Sequence, residues 1–384
     1  MDTPFIYDRY VTGRGFVGRK KECDIMANLL DAGEHVVLYE PPKSGKMSLV
    51  QQTLMNMRSA GKQFITTNVD LFNVRTLEEF LVKFGTTVLR GCMTTPEQYR
   101  EAVGKYLEGS HFVFDISRFY RDGTIVSMNW SPDDDDVRIM MQLPQRIAEE
   151  RGVPFYVILK EFQVLVSDPA CEDCLPAIES VLREKHAKPC ASFIMTGSQV
   201  NAMKYIFEEK KYFYRQVVHL PLQQIEEREI IEHVVKGFLY GPGKSFDRNL
   251  AMGACGLFKN HMWYINHMAA ICDSMSKGFI NEAIMVEALN CMIAVHEPRF
   301  MNMVNDLTDH QLSLLKAVLD GVTRLSASEV IEKYHLNSSA NVRRVKDALK
   351  KKEIITFNEK DEPMLLDPLF EYWMNKYFLE DNRI

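Results

Sequence analysis

The sequence predicts an α/β core built on a parallel sheet, followed by a small helical lid and a C-terminal winged helix. Within residues 1–222, short apolar runs alternate with helical stretches, a pattern typical of parallel strands covered on both faces. Residues 223–305 show only the apolar spacing of helices. Residues 306–384 contain three helical patterns and then two short apolar runs joined by a turn. These observations place the domain boundaries after residues 222 and 305.

Four apolar runs in the first 222 residues are predicted strands. They read HVVLYE (35–40), QFITTNVD (63–70), VPFYVILKEF (153–162) and CASFIMTGS (190–198). In a parallel sheet, ligands bind beyond the carboxyl ends of the strands. The polar residues expected at that edge are 40–46, Asp70, 160–163 and 196–199.

Residues 92–150 interrupt the alternation of strands and helices. They contain turn-rich segments and one clear helical pattern, MMQLPQRIAEERG (140–152). Four consecutive aspartates stand before that helix, at 133–136. These acids could attract a cation, but a run of like charges is usually solvated, and we expect a solvated loop there.

The C-terminal residues have the element order of a winged helix-turn-helix. LTDHQLSLLKAVLDG is an amphipathic helix with Thr308 as its N-cap, and SASEVIEKYHL and SSANVRRVKDALKKK are two further helices. EIITFN and MLLDPLF then flank the turn EKDEP as a hairpin. The third helix is expected to be the recognition helix.

Composition excludes several classes of protein. The 384 residues include 46 Lys plus Arg and 52 Asp plus Glu, a net charge of −6, so the chain as a whole is not built to coat nucleic acid. Its apolar runs fall far short of the ~20 residues that cross a bilayer, and MDTPFIYDRY lacks the apolar segment of a signal peptide. The single CxxC, at Cys171 and Cys174, has no second ligand pair for zinc. We expect a cytoplasmic protein with reduced cysteines, no membrane association and no metal site.

A degenerate phosphate loop lies between the first predicted strand and the next helix. The pattern GxxxxGK[ST] in that context binds phosphates through backbone N–H groups and a lysine, and its hydroxyl binds Mg²⁺. Here the matching residues, which we call the phosphate loop, read EPPKSGKM (40–47). Glu40 replaces the first glycine and Met47 replaces the hydroxyl residue. The candidate nucleotide-binding residues of the loop and the following helix are Lys43, Ser44, Gly45, Lys46 and Ser48.

Several further motifs follow one another in a fixed order. They are PFIYDRYVTGRGFVGRKKE, the altered loop, FYVILKEFQ, FIMTGSQVNAMKYIF, FYRQVVHLPL and, near the end, LTDHQLSLLKAV, YHLNSS and LDPLF. This order resembles the AAA+-like STAND ATPases of the archaeal-ATPase type, including a bacterial branch that ends in a winged helix. The resemblance covers nearly all of the chain. It implies a P-loop NTPase core with an AAA+-like parallel sheet, a helical lid and a winged helix.

The resemblance assigns roles to the residues of two degenerate motifs. It implies that Lys46 binds phosphate, and it places Met47 where the family has a Mg²⁺-binding Ser or Thr. The second acidic motif of the family usually reads Asp-Glu-Phe-Gln, and this chain has Lys-Glu-Phe-Gln at 160–163. Lys160 thus replaces a metal-binding aspartate, whereas Glu161 would be the carboxylate that activates water.

Two further roles follow from the same resemblance. Thr196 begins the Thr-Gly-Ser that matches the end of the sensor strand, which would lie near the γ-phosphate. Arg215 stands where the family tends to place a basic residue after that strand, so it is the arginine-finger candidate.

The three substitutions all oppose metal binding. Mg²⁺ neutralises charge between the β- and γ-phosphates during phosphoryl transfer. Met47 has no side-chain oxygen, Lys160 adds a positive charge, and a Glu40 carboxylate ~4 Å from a phosphate would cost about 1–4 kcal/mol. ATP is therefore a candidate ligand, whereas Mg²⁺ is not expected to bind well.

One hypothesis links two of these substitutions. If Glu40 and Lys160 end neighbouring strands, they could pair across the phosphate site and replace the charge balance of phosphate and Mg²⁺. The simpler alternative is two separate solvated side chains. A further alternative keeps ATP but drops the metal, with Lys160 as a stand-in cation.

The predicted recognition helix has a basic face that could contact DNA phosphates. Its bases are Arg343, Arg344, Lys346, Lys350, Lys351 and Lys352, against the single acid Asp347. The C-terminal domain nevertheless contains more acids than bases, so it could instead pack on the core or bind a protein.

Three functions follow as expectations. The first is an ATPase-like switch or scaffold that has weakened or lost nucleotide binding and hydrolysis, and acts through a protein partner or self-association. The second is a working P-loop ATPase that tolerates the altered motifs. The third is a DNA-binding regulator that acts through the winged helix.

Overall fold

The computed structural model describes residues 4–167, 169–184, 186, 188, 190–241 and 243–379. Contacts divide the chain into two compact units. The sheet unit comprises Lys20–Pro42 and Gln52–Leu222, and the lid–wing unit comprises Met1–Arg19, Lys43–Gln51 and Gln223–Ile384. This division groups the N-terminal segment and most of the phosphate loop with the C-terminal half, whereas the sequence analysis places both in the first domain.

The sheet unit alternates strands with helices. Its strands are β1 (His35–Tyr39), β2 (Ile65–Asp70), β3 (Phe112–Val113), β4 (Ser127–Met128), β5 (Phe155–Lys160), β6 (Ala191–Gly197) and β7 (Val217–His219). Its helices are α1 (Lys20–Ala32), the later part of α2 (Lys46–Ser59), α3 (Leu77–Arg90), α4 (Pro96–Tyr106), α5 (Ile116–Asp122), α6 (Asp134–Arg151), α7 (Pro169–Asp173), α8 (Leu175–Leu182) and α9 (Val200–Lys204).

The main sheet contains five parallel strands in the order β2–β5–β6–β1–β7. The central strand β6 is buried at every residue, and β5 is buried at all but its last. Continuous apolar runs form such strands because both faces of the sheet are covered. The α/β class and the four strands predicted from apolar runs are therefore confirmed. The short strands β3 and β4 form a separate antiparallel pair.

The aspartates at 133–136 begin a helix, so the predicted solvated loop is wrong. Asp133 is the N-cap of α6 and forms a capping box with Asp136. Asp136 is only 1% exposed, and its carboxylate accepts hydrogen bonds from the backbone N–H and the ring Nδ1 of His111. Acidic side chains are stabilised at a helix N-terminus by the helix dipole and the free N–H groups. The charge run therefore serves helix capping.

The lid–wing unit contains the remaining elements. Its helices are α10 (Glu227–Tyr240), α11 (Arg248–Leu257), α12 (Met262–Met275), α13 (Glu282–Asn305), α14 (Asp309–Leu319), α15 (Ser328–Lys333), α16 (Ser339–Lys351) and α17 (Pro368–Trp373). Its strands are β8 (Ser245–Phe246), β9 (Phe279–Ile280), β10 (Ile355–Phe357) and β11 (Pro363–Leu365). Residues 223–305 are thus not purely helical, because β8 and β9 form a short parallel pair that was too brief to show in the pattern.

The winged helix is present as predicted. Helices α14, α15 and α16 precede the antiparallel hairpin of β10 and β11. Thr308 caps α14 through a capping box with Gln311, which confirms its assignment as N-cap. Ser338 caps the recognition helix α16.

One apolar core connects the N-terminal segment, the lid helices and the winged helix. Phe5 is fully buried and packs 4.5 Å from Phe238 of α10, measured between ring centroids. Gly237 permits this approach, because a Cβ there would lie 2.7 Å from the Phe5 ring. At the other end of the chain, Trp373 packs on Phe300 of α13 with ring centroids 5.6 Å apart. The lid and the winged helix are therefore built on the same core.

Among the helices of the described residues, none is both long and apolar enough to cross a membrane.

His35 gives the sheet unit a testable pH dependence. Its Nδ1 accepts a hydrogen bond from the Phe193 backbone N–H at 3.0 Å, and burial lowers its pKa from 6.5 to about 4. Between pH 6.5 and about 4, His35 is therefore protonated in the unfolded chain but neutral in the folded chain. The free energy of unfolding should fall as the pH drops through this range. The full shift corresponds to about 3 kcal/mol.

Urea denaturation followed by circular dichroism at several pH values tests this dependence. His35→Gln should flatten the pH dependence, whereas the exposed His335→Gln should leave it unchanged. An identical slope in wild type and His35→Gln would contradict the assignment.

Candidate functional site

Three predicted site residues lie together at the carboxyl edge of the sheet. Lys160, the last residue of β5, is in register with Asp70 on β2 and Thr196 on β6. Glu161 follows directly. Parallel strands end at one edge, and the structure therefore brings Lys160, Glu161 and Thr196 together as the sequence predicts.

Glu161 is held by two neighbouring donors. Its backbone is left-handed, with φ 56°, and its Oε2 accepts hydrogen bonds from the Ser198 hydroxyl and from Gln163 Nε2, the latter at 2.7 Å. Thr196 is 2% exposed, and its hydroxyl lies 3.5 Å from the Leu159 carbonyl oxygen. The carboxylate is thus fixed in orientation, with one oxygen already engaged by the protein.

Lys160 faces a different acid from the one suggested by the sequence. Its Nζ lies 3.9 Å from Oδ2 of Asp70, which ends the adjacent strand β2. Strand β6 separates β5 from β1, so Glu40 and Lys160 do not end neighbouring strands. The premise of the predicted pair between Glu40 and Lys160 is therefore wrong, because strand order cannot be read from chain order.

Arg215 lies at the opposite edge of the sheet. It precedes β7, whose first residue pairs with His35, the first residue of β1. There it lines a cavity of about 500 Å³ together with His35 and Lys188. The structure does not bring the arginine-finger candidate to the edge that carries Glu161.

The phosphate loop keeps the glycine that its backbone requires. Gly45 has φ 93°, a conformation that favours glycine, and α2 begins at the next residue. Lys46 is 7% exposed, and its Nζ donates to the Ser44 hydroxyl at 3.3 Å. This geometry explains why Gly45 remains although other positions of the motif have changed.

Two backbone contacts within the lid–wing unit hold this loop. Arg19 Nη1 donates to the Ser44 carbonyl oxygen at 2.7 Å, and a Cβ at Gly45 would lie 2.9 Å from the same nitrogen. The Ser48 hydroxyl accepts from the Val11 backbone N–H at 3.1 Å. Sequence analysis missed Arg19, although it lies in the motif VTGRGFVGRKKE.

The lid also contacts the loop. Lys43 Nζ lies 3.4 Å from the ring centroid of Trp263 on α12, a cation–π contact. Desolvation lowers the pKa of Lys43; Arg299 also lowers it, while Asp367 raises it. Sequence analysis missed Trp263, because one aromatic residue on a helix is indistinguishable from core packing.

His261, the N-cap of α12, is neutral at pH 7. Burial lowers its pKa to about 4, with Arg19 and Lys46 contributing and Asp367 opposing. The lid therefore adds no positive charge to the loop at this position.

The side chains at the expected metal positions do not fit Mg²⁺. This ion takes oxygen ligands in octahedral geometry. Met47 ends in a thioether group, and Lys160 ends in an ammonium group beside Asp70. By contrast, Gly45, Lys46 and the N-terminus of α2 keep the form of a phosphate-binding turn.

The basic face of the winged helix is partly engaged by the hairpin. Lys346 Nζ lies 4.1 Å from the Phe357 ring centroid and 3.5 Å from Asp361 Oδ2. Arg344 donates to Asn341 Oδ1 at 2.9 Å. A groove of about 410 Å³ runs along α16, and its charged lining residues are Arg343, Lys346, Asp347, Lys350 and Asp361.

Comparisons with known proteins agree with this architecture. Residues 298–376 match a family model described as a "probable winged helix domain". The chain is similar to the Walker-type ATPase of Pyrococcus abyssi, with a TM-score of 0.67 and 15% identity over 97% of this chain and 99% of that one. It is also similar to the ADP form of the Aeropyrum pernix ORC2 protein, with a TM-score of 0.54 and 16% identity over 97% and 96% of the two chains. No curated protein matches the sequence.

The chain therefore has the fold of a P-loop ATPase of the AAA+ type that ends in a winged helix. This confirms, at the level of fold, the resemblance inferred from the order of the motifs.

Gly197 is needed for the packing around Glu161. A Cβ at this position would clash with Met203 and stand 2.7 Å from Oε1 of Gln163, the residue that donates to Glu161. Gly197→Ala should therefore lower the free energy of unfolding by about 1–3 kcal/mol, as overpacking does. Chemical denaturation measures the change.

Gly253→Ala provides a matched control. Gly253 lies within α11 and has open space at its Cβ position, so alanine should stabilise the protein by about 0.5–1 kcal/mol. Equal effects of the two substitutions would show that Gly197 has no special packing role.

Proposed function

We propose that the protein is an ATPase-like switch or scaffold of the AAA+/STAND type in which nucleotide binding and hydrolysis are weakened or lost. The observation that carries this proposal is the end of β5, where Lys160 replaces the expected metal-binding carboxylate and lies 3.9 Å from Asp70. A cation at this position opposes a second, divalent cation, and Met47 supplies no oxygen to compensate.

The residues that remain favour phosphate binding without a metal. Backbone N–H groups at the start of α2 and the Lys46 ammonium group are suited to an anion. ATP without Mg²⁺ is therefore the ligand that this chain would bind, with Lys160 as a stand-in for part of the missing positive charge. The engaged Oε2 of Glu161 further favours binding over hydrolysis.

A switch role is supported by the shared core of the lid–wing unit. The phosphate loop contacts the lid through Lys43, and the lid shares its core with the winged helix. A ligand that prefers one arrangement of the loop would shift the equilibrium between conformations of the lid–wing unit. A protein partner or a second copy of the chain would then bind one of these conformations more tightly.

Restoring the motif residues tests the proposal. In calorimetric titrations, wild-type protein should bind ATP no more tightly with Mg²⁺ than without it, or should not bind ATP at all. The triple variant carries Glu40→Gly, which restores room for a phosphate, and Met47→Thr and Lys160→Asp, which restore side-chain oxygens for Mg²⁺. Its ATP affinity should increase at least about tenfold when Mg²⁺ is added.

Lys46→Ala is the control for this titration and should abolish any binding at the loop. Release of inorganic phosphate by the wild-type protein that disappears in both Lys46→Ala and Glu161→Gln would contradict the proposal. It would establish a working ATPase instead.

DNA binding through the winged helix is the second candidate function. The groove along α16 supports it, because Arg343, Lys346 and Lys350 line one continuous concave surface. Asp347 and Asp361 in the same groove reduce its positive charge. The affinity for DNA would therefore come from direct phosphate contacts rather than from long-range electrostatic attraction.

Salt dependence tests this second function. If α16 binds a DNA duplex, Arg343→Ala and Lys350→Ala should each weaken binding and reduce the slope of log K against log salt by about 1, since each removes one phosphate contact. Fluorescence anisotropy with a labelled duplex measures both quantities. Lys376→Ala, outside the groove, should change neither, and unchanged slopes in the two groove variants would exclude this surface.

A further inference from the structure

We infer that Lys43 is a positioning residue that anchors the phosphate loop to the lid and, through Trp263 and Tyr264, supports the N-cap of α17 in the winged helix. The inference rests on the proposed function only in treating residues 40–47 as the phosphate loop. It changes the role expected for Lys43, which the sequence analysis assigns to nucleotide binding.

The first link is the contact between Lys43 and Trp263. The ammonium nitrogen lies 3.4 Å from the centroid of the indole ring, within the range of a cation–π attraction. Lys43 also has φ 65°, a left-handed conformation that is unfavourable for a non-glycine residue. The Lys43 ammonium group is therefore already bound to the Trp263 ring in the absence of nucleotide.

The second link is the rigid placement of Trp263. Its Nε1 donates a hydrogen bond to the Tyr7 carbonyl oxygen, and its ring lies edge-on to the Tyr264 ring at a centroid distance of 4.9 Å. The ring is therefore fixed by the N-terminal segment on one side and by Tyr264 on another.

The third link is the hydrogen bond from Tyr264 to Asp367. Tyr264 is 5% exposed, and its hydroxyl donates to Asp367 Oδ1 at 2.7 Å. The same oxygen accepts the backbone N–H groups of Leu369 and Phe370 at 3.0 and 3.2 Å, which makes Asp367 the N-cap of α17. Arg299 Nη2 donates to Oδ2 at 2.6 Å.

These links form one continuous set of contacts from the loop to the winged helix, all within the lid–wing unit. The charge of Lys43 also acts directly on this network, because Asp367 raises the pKa of Lys43 and Arg299 lowers it. Removing the charge at position 43 should therefore loosen the ring of Trp263, then the Tyr264 hydrogen bond and finally the cap of α17.

Hydrogen exchange in the full-length protein without nucleotide tests the inference. Lys43→Met keeps the aliphatic stem and removes the charge, so the amides of Leu369 and Phe370 should exchange about threefold faster, the factor expected for the loss of a weak cation–π contact. Lys43→Arg keeps a cation on the ring and should restore slow exchange. Lys333→Met is the matched control, because Lys333 makes the same kind of contact, 4.9 Å from the Tyr334 ring, on α15.

A double-substitution cycle separates coupling from general destabilisation. Tyr264→Phe removes the hydrogen bond to Asp367 and should speed exchange of the same two amides. Adding Lys43→Met to Tyr264→Phe should then produce no further increase, because the connection is already broken. Unchanged exchange in Lys43→Met, or fully additive effects in the double variant, would overturn the inference.

The result is independent of nucleotide affinity. Lys46→Met should impair binding of ATP at the loop yet leave exchange at Leu369 and Phe370 unchanged, because the Lys46 ammonium group donates to the Ser44 hydroxyl within the loop. Release of inorganic phosphate by the wild-type protein that depends on Lys46 and Glu161 would bear on the proposed function alone. Failure of the exchange pattern would bear on the role of Lys43 alone.

Discussion

In a parallel sheet the carboxyl ends of the strands meet at one edge, and here that edge carries a lysine where a divalent cation would need a carboxylate. Lys160 cannot leave this position, because β5 is buried between β2 and β6 and its register fixes the last residue. Asp70 on the adjacent strand lies within ion-pair distance. The charges at this edge therefore include a lysine and an aspartate that the strand register places side by side.

The second organising feature is the shared core of the lid–wing unit. An ordinary winged helix is an independent module, but here α17 buries Trp373 against α13 and Asp367 binds both Tyr264 and Arg299. Lys43 of the phosphate loop and Ser48 of α2 belong to the same unit. The loop residue Lys43 therefore lies in the same packed unit as the winged helix.

The sequence was sufficient for four of the five strands of the main sheet, the winged helix and the residues at the sheet edge, because each depends on local pattern. Apolar runs identified β5 and β6, and the Thr308 capping signal identified α14. Strand order is different, since it depends on crossovers that leave no local signal. For this reason the pairing of Glu40 with Lys160 appeared reasonable until β6 was found between their strands.

Contacts between distant segments were also beyond local reasoning. Nothing in the surroundings of Trp263 distinguishes an anchor for Lys43 from ordinary packing. The aspartates at the start of α6 looked like solvated charges, because the helix begins earlier than its apolar pattern. Arg19 could have been found, because it stands in a motif whose position before the phosphate loop was already noted. Its bond to the loop backbone required coordinates.

The burial of Phe5 has a consequence for biosynthesis. Its partner Phe238 emerges from the ribosome more than two hundred residues later, which at about 5–20 residues per second is a delay on the order of 10–50 s. During that interval the Phe5 side chain lacks the Phe238 ring as a neighbour. The segment around Phe5 therefore acquires this core packing only after α10 has been translated.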